Sequence, residues 1–195
     1  MTPDKLSPIG KKFFDRVEFD ANEVLIREVR KDPFGLFAIY FGGAIATLTV
    51  FSLLVLGGAS ANISSLAGSI GTSESNIRPI MILTGFFLTI FSVVLTAVAA
   101  FLYTNNVVII TSEKVTQQLY LSLFNKKISQ LSIADVQDVT VKQQGILAHI
   151  FNYGTITIET AGEQANYNFT FTPEPYEVAK DLVGSHEADV AVHGN

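Results

Sequence analysis

Polar and apolar positions alternate irregularly over residues 1–32, and then charge disappears. Residues 33 to 73 form a run of 41 without Asp, Glu, Lys or Arg, and residues 79 to 112 a second run of 34. Inside the first, residues 34 to 56 hold 17 apolar side chains in 23, the rest being Gly35, Gly42, Gly43, Thr47, Thr49 and Ser52. Inside the second, residues 80 to 102 hold 18 in 23, interrupted by Thr84, Gly85, Thr89, Ser92 and Thr96. Each segment reads as a helix apolar on every side. At about 1.5 Å per residue, 23 residues reach roughly 34 Å, which matches a hydrocarbon layer of about 30 Å with some tilt. Two transmembrane helices are therefore expected, over 34–58 and 79–103. The rest of the chain is too short to wrap two such helices as a soluble core. A cleaved signal fits poorly, because its apolar region spans only about 7–15 residues, although the small residues Ala59-Ser60-Ala61 follow the first run.

Orientation comes from the basic residues beside the spans, since Lys and Arg are retained on the cytoplasmic side. Arg16, Arg27, Arg30 and Lys31 precede the first span closely, with Lys5, Lys11 and Lys12 further out. The connecting segment carries only Arg78. This asymmetry places residues 1–33 in the cytoplasm, the Gly/Ser/Asn-rich loop 59–78 outside, and residues 104–195 back in the cytoplasm. Arg27, Arg30, Lys31 and Arg78 are thus the candidate interface and topology residues of a multi-pass plasma (cytoplasmic) membrane protein. Neither span contains Asp, Glu, Lys, Arg or His, so no proton relay or ion path runs through them. Small residues recur at four-residue spacing, Gly42 with Ala46 and Ser92 with Thr96 and Ala100. They suit packing of the hairpin on itself, with an oligomerisation face as the alternative.

After Tyr103 the period shortens. Residues 107–111 are β-branched, and Ser112-Glu113-Lys114 can turn the chain into a strand over 115–124. Asn125-Lys126-Lys127 is the next turn signal, followed by strands over 128–133 and 136–142 until Gly145 breaks the pattern. Residues 155–160 and 167–172 alternate strictly about Ala161-Gly162-Glu163 and make the clearest hairpin. Pro173 and Pro175 end it, and residues 176–183 suit a short amphipathic helix. Residues 185–195 are expected to be a disordered tail. Strands at short intervals with one closing helix imply a sandwich or partly open barrel over 104–184.

Composition narrows the chemistry. Apolar residues make up 48% and charged residues 16%, with a net charge of −5, so neither a disordered chain nor a nucleic-acid partner is expected. The absence of cysteine removes disulfides, zinc–thiolate sites and thiol nucleophiles.

The order of parts carries a family resemblance. A two-helix hairpin is followed by Tyr103-Thr104-Asn105, an Ile/Val strand at 107–111, residues 133–141 containing Asp135-Val136-Gln137-Asp138-Val139, and Tyr153-Gly154-Thr155-Ile156-Thr157-Ile158. Ahead of the hairpin stand Asn22-Glu23-Val24-Leu25-Ile26 with Arg27, Arg30 and Pro33. The chain resembles, over about residues 20 to 184, the bacterial pleckstrin-homology (PH) domain proteins with N-terminal transmembrane helices, a group of unknown function. The resemblance implies a membrane helical hairpin plus a PH-like α+β/all-β barrel: two near-orthogonal antiparallel sheets plugged by a C-terminal helix.

Candidate chemistry is sparse. His149, His186 and His193 show no metal-ligand spacing, and Glu159 with Glu163 reads as solvated charge at a hairpin end. No Gly-rich phosphate loop or Gly-x-Ser-x-Gly is present. Eukaryotic PH domains bind phosphoinositides through clustered Lys and Arg near their first strands, where this chain offers only Lys114, Lys126 and Lys127. Residues 104–184 carry five Lys against eight acidic side chains, so phosphoinositide binding is not expected. Ile146, Leu147, Ile150 and Phe151 share a helical face and suit a core-facing connection between the sheets, with a docking patch as the alternative. With Lys126 and Lys127 they are the candidate interaction residues. The expectation is a non-enzymatic, cofactor-free module whose partners are the lipid bilayer and an unknown protein, peptide or second copy. An accessory subunit of a transporter or secretion complex is the alternative, and lipid-headgroup binding the second.

Overall fold

The computed structural model describes residues 5–20, 23–59, 62–71, 73–160 and 167–193. Two units compose it, residues 1–35 with 102–195 and, separately, residues 36–101.

In the first unit, a four-stranded antiparallel sheet has the order β1-β2-β3-β4, with β1 Leu25–Arg30, β2 Val107–Thr111, β3 Lys114–Tyr120 and β4 Lys126–Ser132. A second, three-stranded sheet has the order β5-β6-β7, from β5 Val136–Lys142, β6 Tyr153–Thr160 and β7 Tyr167–Pro173. The apolar faces of the two sheets meet. Val29, Val108, Ile110, Val115 and Leu131 pack against Ile156, Ile158 and Phe169, and Val178 and Leu182 of α6 (Pro175–His193) complete this core. The cavity left between the sheets is about 20 Å³, room for about one water.

Strand β2 explains its own composition. Its side chains alternate between this core, through Val108 and Ile110, and a second cluster through Val107 and Ile109. That outer cluster is roofed by α1 (Pro8–Phe14), whose Phe13 is fully buried with Leu6 and Val17. A strand covered on both faces has no polar side to show, hence Val-Val-Ile-Ile. The helix starts on Ser7, whose hydroxyl accepts from Gly10 N at 3.1 Å, while Ser7 N donates to Glu28 of β1 at 2.7 Å.

The expected element boundaries change at four places. Residues 1–33 are no separate segment, because β1 pairs with β2 from Leu25↔Thr111 to Arg30↔Val107 and α1 covers the same sheet. The strand expected over 115–124 stops at Tyr120, where Asn106 Oδ1 takes the Tyr120 N–H at 2.6 Å, and residues 121–125 form a turn closed by Leu121 N and Ser122 N on Asn125 O. Part of the loop expected at 59–78 is helical, as α3 (Asn62–Ile70), because Ile63 and Ala67 find Ile77 to pack against. Finally, the tail expected to be disordered continues α6 to His193. Ser185 Oγ donates to Asp181 O at 2.6 Å, and His186 Nδ1 lies 2.9 Å from Ile133 O, so the start of the extension is held to the preceding helix and to the β4–β5 connection. The Ala161-Gly162-Glu163 turn lies outside the described residues.

The second unit contains α2 (Pro33–Ala59) and α4 (Glu74–Thr104) for most of their lengths, with α3 between them. Both long helices are apolar enough, by length and composition, to cross a membrane. They pack through Gly43, where an added Cβ would collide with the Thr96 side chain, and through Thr47 Oγ1 against Ser92 Oγ at 2.9 Å. The expected small residues of α4 are thus used, but on α2 their partners are Gly43 and Thr47. Gly42 and Ala46 face outward.

A testable consequence concerns β1. Val29 is buried in the core between the sheets, so Val29→Ala should lower stability by about 2 kcal/mol in denaturant titrations of the full chain. A polypeptide covering only residues 104–195 lacks β1 and α1, and should show neither dispersed NMR signals nor a cooperative melt. A cooperative melt from that fragment would refute the role given to β1.

Candidate functional site

The chain leaves the two-sheet domain just after β1 and re-enters it just before β2, and chemistry concentrates around these two points. Asp32 supplies the start of α2: its Oδ1 accepts from Phe34 N at 2.8 Å, and Pro33 occupies the first helical position, where a missing N–H costs nothing. Asp32 N donates to Phe171 O of β7 at 2.6 Å, and Asp32 O accepts from the Tyr103 hydroxyl at 2.7 Å. One residue therefore ties the outgoing chain, the returning chain and the second sheet together. The tyrosine fits because position 35 is glycine, where any Cβ would collide with Tyr103 Oη.

An aromatic stack surrounds this knot. Phe34 lies on Phe151 and Tyr153, with centroids 4.6 and 5.2 Å apart, Tyr153 on Phe171 at 5.2 Å, and Tyr103 meets Phe171 edge-on at 5.9 Å. Phe171 has φ 53°, a left-handed conformation that bulky side chains adopt only when their surroundings impose it. It sits where the β6–β7 register shifts between Gly154 and Ile156, and its carbonyl is the one aimed at Asp32. Gly154 itself leaves no room for a side chain, since a Cβ would fall 2.9 Å from Lys142 O.

Lys31 is drawn into the same cluster. Its Nζ donates to Thr170 O at 3.0 Å and Thr170 Oγ1 at 2.8 Å, and lies 5.3 Å from the Phe169 ring centre and 5.4 Å from that of Tyr103. The rings and the two oxygens favour the ammonium form, whereas burial lowers its pKa from 10.5 to about 8.

The other residues singled out from the sequence separate. Arg27 lies within β1 and pairs with Asp181 of α6, with Glu174 3.6 Å away, so it joins sheet to helix. Arg30 and Arg78 are exposed. Ile146, Leu147 and Ile150 lie on α5 (Ile146–Ile150), followed directly by Phe151. The core-facing connection expected there is overturned: Ile146 is 79% exposed and Ile150 67%, and only Ala148 turns inward, at 2%. The helix is too short to present more than one small side chain to the sheet. Lys126 and Lys127 open β4 and are exposed, beside a turn tip made of Leu121, Leu123 and Phe124 that the sequence pattern did not separate from β3. At the opposite end of the sheet, Asp20, Glu23 and Glu113 bring carboxylate oxygens within 4.8 Å of one another. Glu23 there is buried against the Thr111 hydroxyl and has Lys114 Nζ at 3.2 Å, so a cation from the chain itself already sits on the cluster. His149 is exposed, with Nδ1 3.1 Å from Gly145 O.

Two stacked antiparallel sheets, four strands against three, plugged by a C-terminal helix define a PH-like domain. A family model described as Bacterial PH domain matches residues 44–184, most of the chain, and this protein belongs to that family. Among solved structures, the crystal structure of a DUF1696 family protein with a pleckstrin-homology domain from Shewanella loihica PV-4 is similar at 12% identity. The likeness covers 42% of this chain and 70% of that one with a TM-score of 0.33, too distant to bear on function. No curated protein matches. The family match begins inside α2, so β1 and α1 stand ahead of it.

Lys31 yields a pH prediction. Its folded pKa lies below its unfolded value, so the folded state loses this proton first. Below about pH 8 both states are protonated and the burial penalty is complete; from about pH 8 towards 10.5 the unfolded state binds more protons and this group's contribution to stability rises. Lys31→Met should remove that rise, seen as a wild-type melting temperature that climbs relative to the variant's between about pH 8 and 10.5. A difference independent of pH would refute the assignment.

Proposed function

We propose that this chain is a non-enzymatic module held in the cytoplasmic membrane by α2 and α4, with both termini and the PH-like domain on the cytoplasmic side. There the domain serves as a docking surface for a protein, a peptide or a second copy of itself. The observation that carries the reading is the placement of the two long apolar helices. They leave and rejoin one sheet through adjacent strands, β1 and β2, so the domain is fastened at two points rather than on a single tether. Phe37, Phe41, Leu48, Phe87 and Val94 of these helices are all about half exposed or more, as lipid-facing side chains are before lipid is counted. The excess of Lys and Arg before α2 supports the orientation.

The interior of the domain is filled by its own side chains, the cavity lined by Val108, Ile110, Ile156 and Phe169 being about 20 Å³, so a partner is met at the surface. The sheets offer places for a partner. Strands β4 and β5 each pair on one side only among the described residues, leaving edges to which an extended peptide can add.

The absence of cysteine in the chain makes the topology directly testable. The single substitutions Ser69→Cys, Glu113→Cys and Lys180→Cys should separate in intact cells: the thiol at position 69 reacts with an impermeant maleimide, whereas those at positions 113 and 180 react only after lysis. The protein should stay with membranes through alkaline carbonate and leave only in detergent. Release by carbonate, or labelling of the Glu113→Cys variant from outside, would overturn the anchoring or its orientation. Crosslinking in native membranes, repeated with α2 and α4 exchanged for an unrelated hairpin, separates the roles. Retention of the same crosslinked species favours the domain, whereas its loss favours the spans and an accessory-subunit role.

A further inference from the structure

Two exposed apolar surfaces of the PH-like domain lie at the same end, and that end is where the chain departs at Gly35 and returns at Leu102. Strand direction shows this. Strand β2 starts there, and because β3 runs antiparallel to it, with Val107 opposite Gln118, β3 comes back to the same end. Tyr120 N bonds to Asn106 Oδ1 at 2.6 Å and Gln118 Nε2 to Asn105 O at 3.2 Å, so the turn over residues 121–125 stands beside the base of α4. In the other sheet, Lys142 is opposite Thr155 and Tyr153 opposite Pro173, which puts α5 at the end of β7 that holds Phe171. Phe34, the second residue of α2, stacks on Phe151 at 4.6 Å and so seats α5 beside the base of α2.

Both surfaces are apolar where a water-facing turn would be polar. Phe124 is 99% exposed, with Leu121 and Leu123 beside it, and α5 presents Ile146, Leu147 and Ile150. Each is flanked by the groups that suit a lipid–water boundary: Lys126 and Lys127 after the turn, whose long stems can lie along apolar surface while the ammonium stays wet, and the aromatic rings of Phe151 and Tyr153 after α5. Charge attraction does not supply the contact, since residues 104–184 carry a net negative charge.

We propose that the β3–β4 turn and α5 are two lipid-contacting prongs, one from each sheet, that enter the interfacial layer of the bilayer crossed by α2 and α4. The occupant of both surfaces is the acyl-chain and headgroup boundary of the lipid, not a headgroup held in a pocket. This inference rests on the membrane-spanning reading of α2 and α4. Its consequence is that lipid meets the domain at both prongs, while the β2–β3 turn, at the other end of those strands, stays in water.

The chain contains no tryptophan, so single-tryptophan variants of the full-length protein report depth without background. Phe124→Trp and Leu147→Trp probe the prongs, Phe41→Trp the interior of α2, and Glu113→Trp the β2–β3 turn at the opposite end. Each is reconstituted in phosphatidylcholine/phosphatidylglycerol vesicles with acyl chains brominated or not. The expected result is strong loss of emission from the Phe41→Trp variant on bromination. The two prong variants should show clear loss and a blue shift with protection from iodide, and the Glu113→Trp variant iodide quenching alone. If bromine quenches the Phe41→Trp variant while both prong variants behave like Glu113→Trp, the prongs are refuted and the anchoring stands. If the Phe41→Trp variant is itself unaffected by bromination, the anchoring and the prongs fall together. Protection of the Phe124→Trp and Leu147→Trp variants from both quenchers would mean that protein covers these surfaces, a partner or a second copy, and would also refute lipid contact.

Discussion

The pairing of β1 with β2 is the constraint on which the rest of the structure depends. Arg30 faces Val107 across that ladder, and everything between them, two long helices and α3, is an excursion from the sheet. A flexible loop of that length would add only a modest entropic cost, because closure cost grows with the logarithm of length. A hairpin that packs on itself through Gly43–Thr96 and Thr47–Ser92 lowers even that, since its two ends are delivered together. Asp32 then converts proximity into registry. Its backbone and side chain fix the start of α2, the tyrosine at the end of α4 and the strand that carries Phe171.

That knot also explains where strain is tolerated. Among the described residues the non-glycine positions with positive φ are Phe171, Glu174 and Asn152, and Glu174 N bonds to Asn152 O at 2.9 Å, so this unusual backbone gathers at the end of the domain where the chain departs. Each such residue costs about 1–3 kcal/mol. Stacked rings and buried hydrogen bonds of the same cluster offset the cost, and the strained backbone aims the Phe171 carbonyl at Asp32. Regular strand geometry would point that carbonyl along its own sheet.

Much of this is legible in the sequence, for physical reasons. The long helices announce themselves because apolarity on all sides needs no partner to interpret it, and β6 and β7 because strict alternation has one explanation. Strand β1 is hidden: Leu25-Ile26-Arg27-Glu28-Val29-Arg30 has two adjacent apolar residues and a register irregularity between Leu25 and Arg27, and its partner lies on the far side of both helices. The β3–β4 turn is hidden for the opposite reason, since Leu121, Leu123 and Phe124 look like more strand unless the Asn106 side chain that ends the ladder is known. The spacing of Ile63, Ala67 and Ile70 is a signal for α3 that its Gly and Ser background obscures. The cluster around Lys31 cannot be read from sequence at all. It is assembled from distant stretches of chain, and none of its members has a local signature.

The position of the helices also bears on why this domain has little cationic surface to offer. In the eukaryotic domains that it resembles, headgroup recognition uses Lys and Arg near the first strands. Here the connection between the first two strands is the place from which α2 departs and to which α4 returns. Lys31, just before that departure, lies against the Phe169 and Tyr103 rings and is bonded to Thr170. Arg27 is committed to Asp181. These two cations join sheet to sheet and strand to helix, whereas Arg30, Lys126 and Lys127 face outward. On the proposed reading that is consistent: a domain already fastened to its membrane at two points gains nothing from a soluble ligand site facing the same lipid, and its free surfaces are left for contacts of another kind.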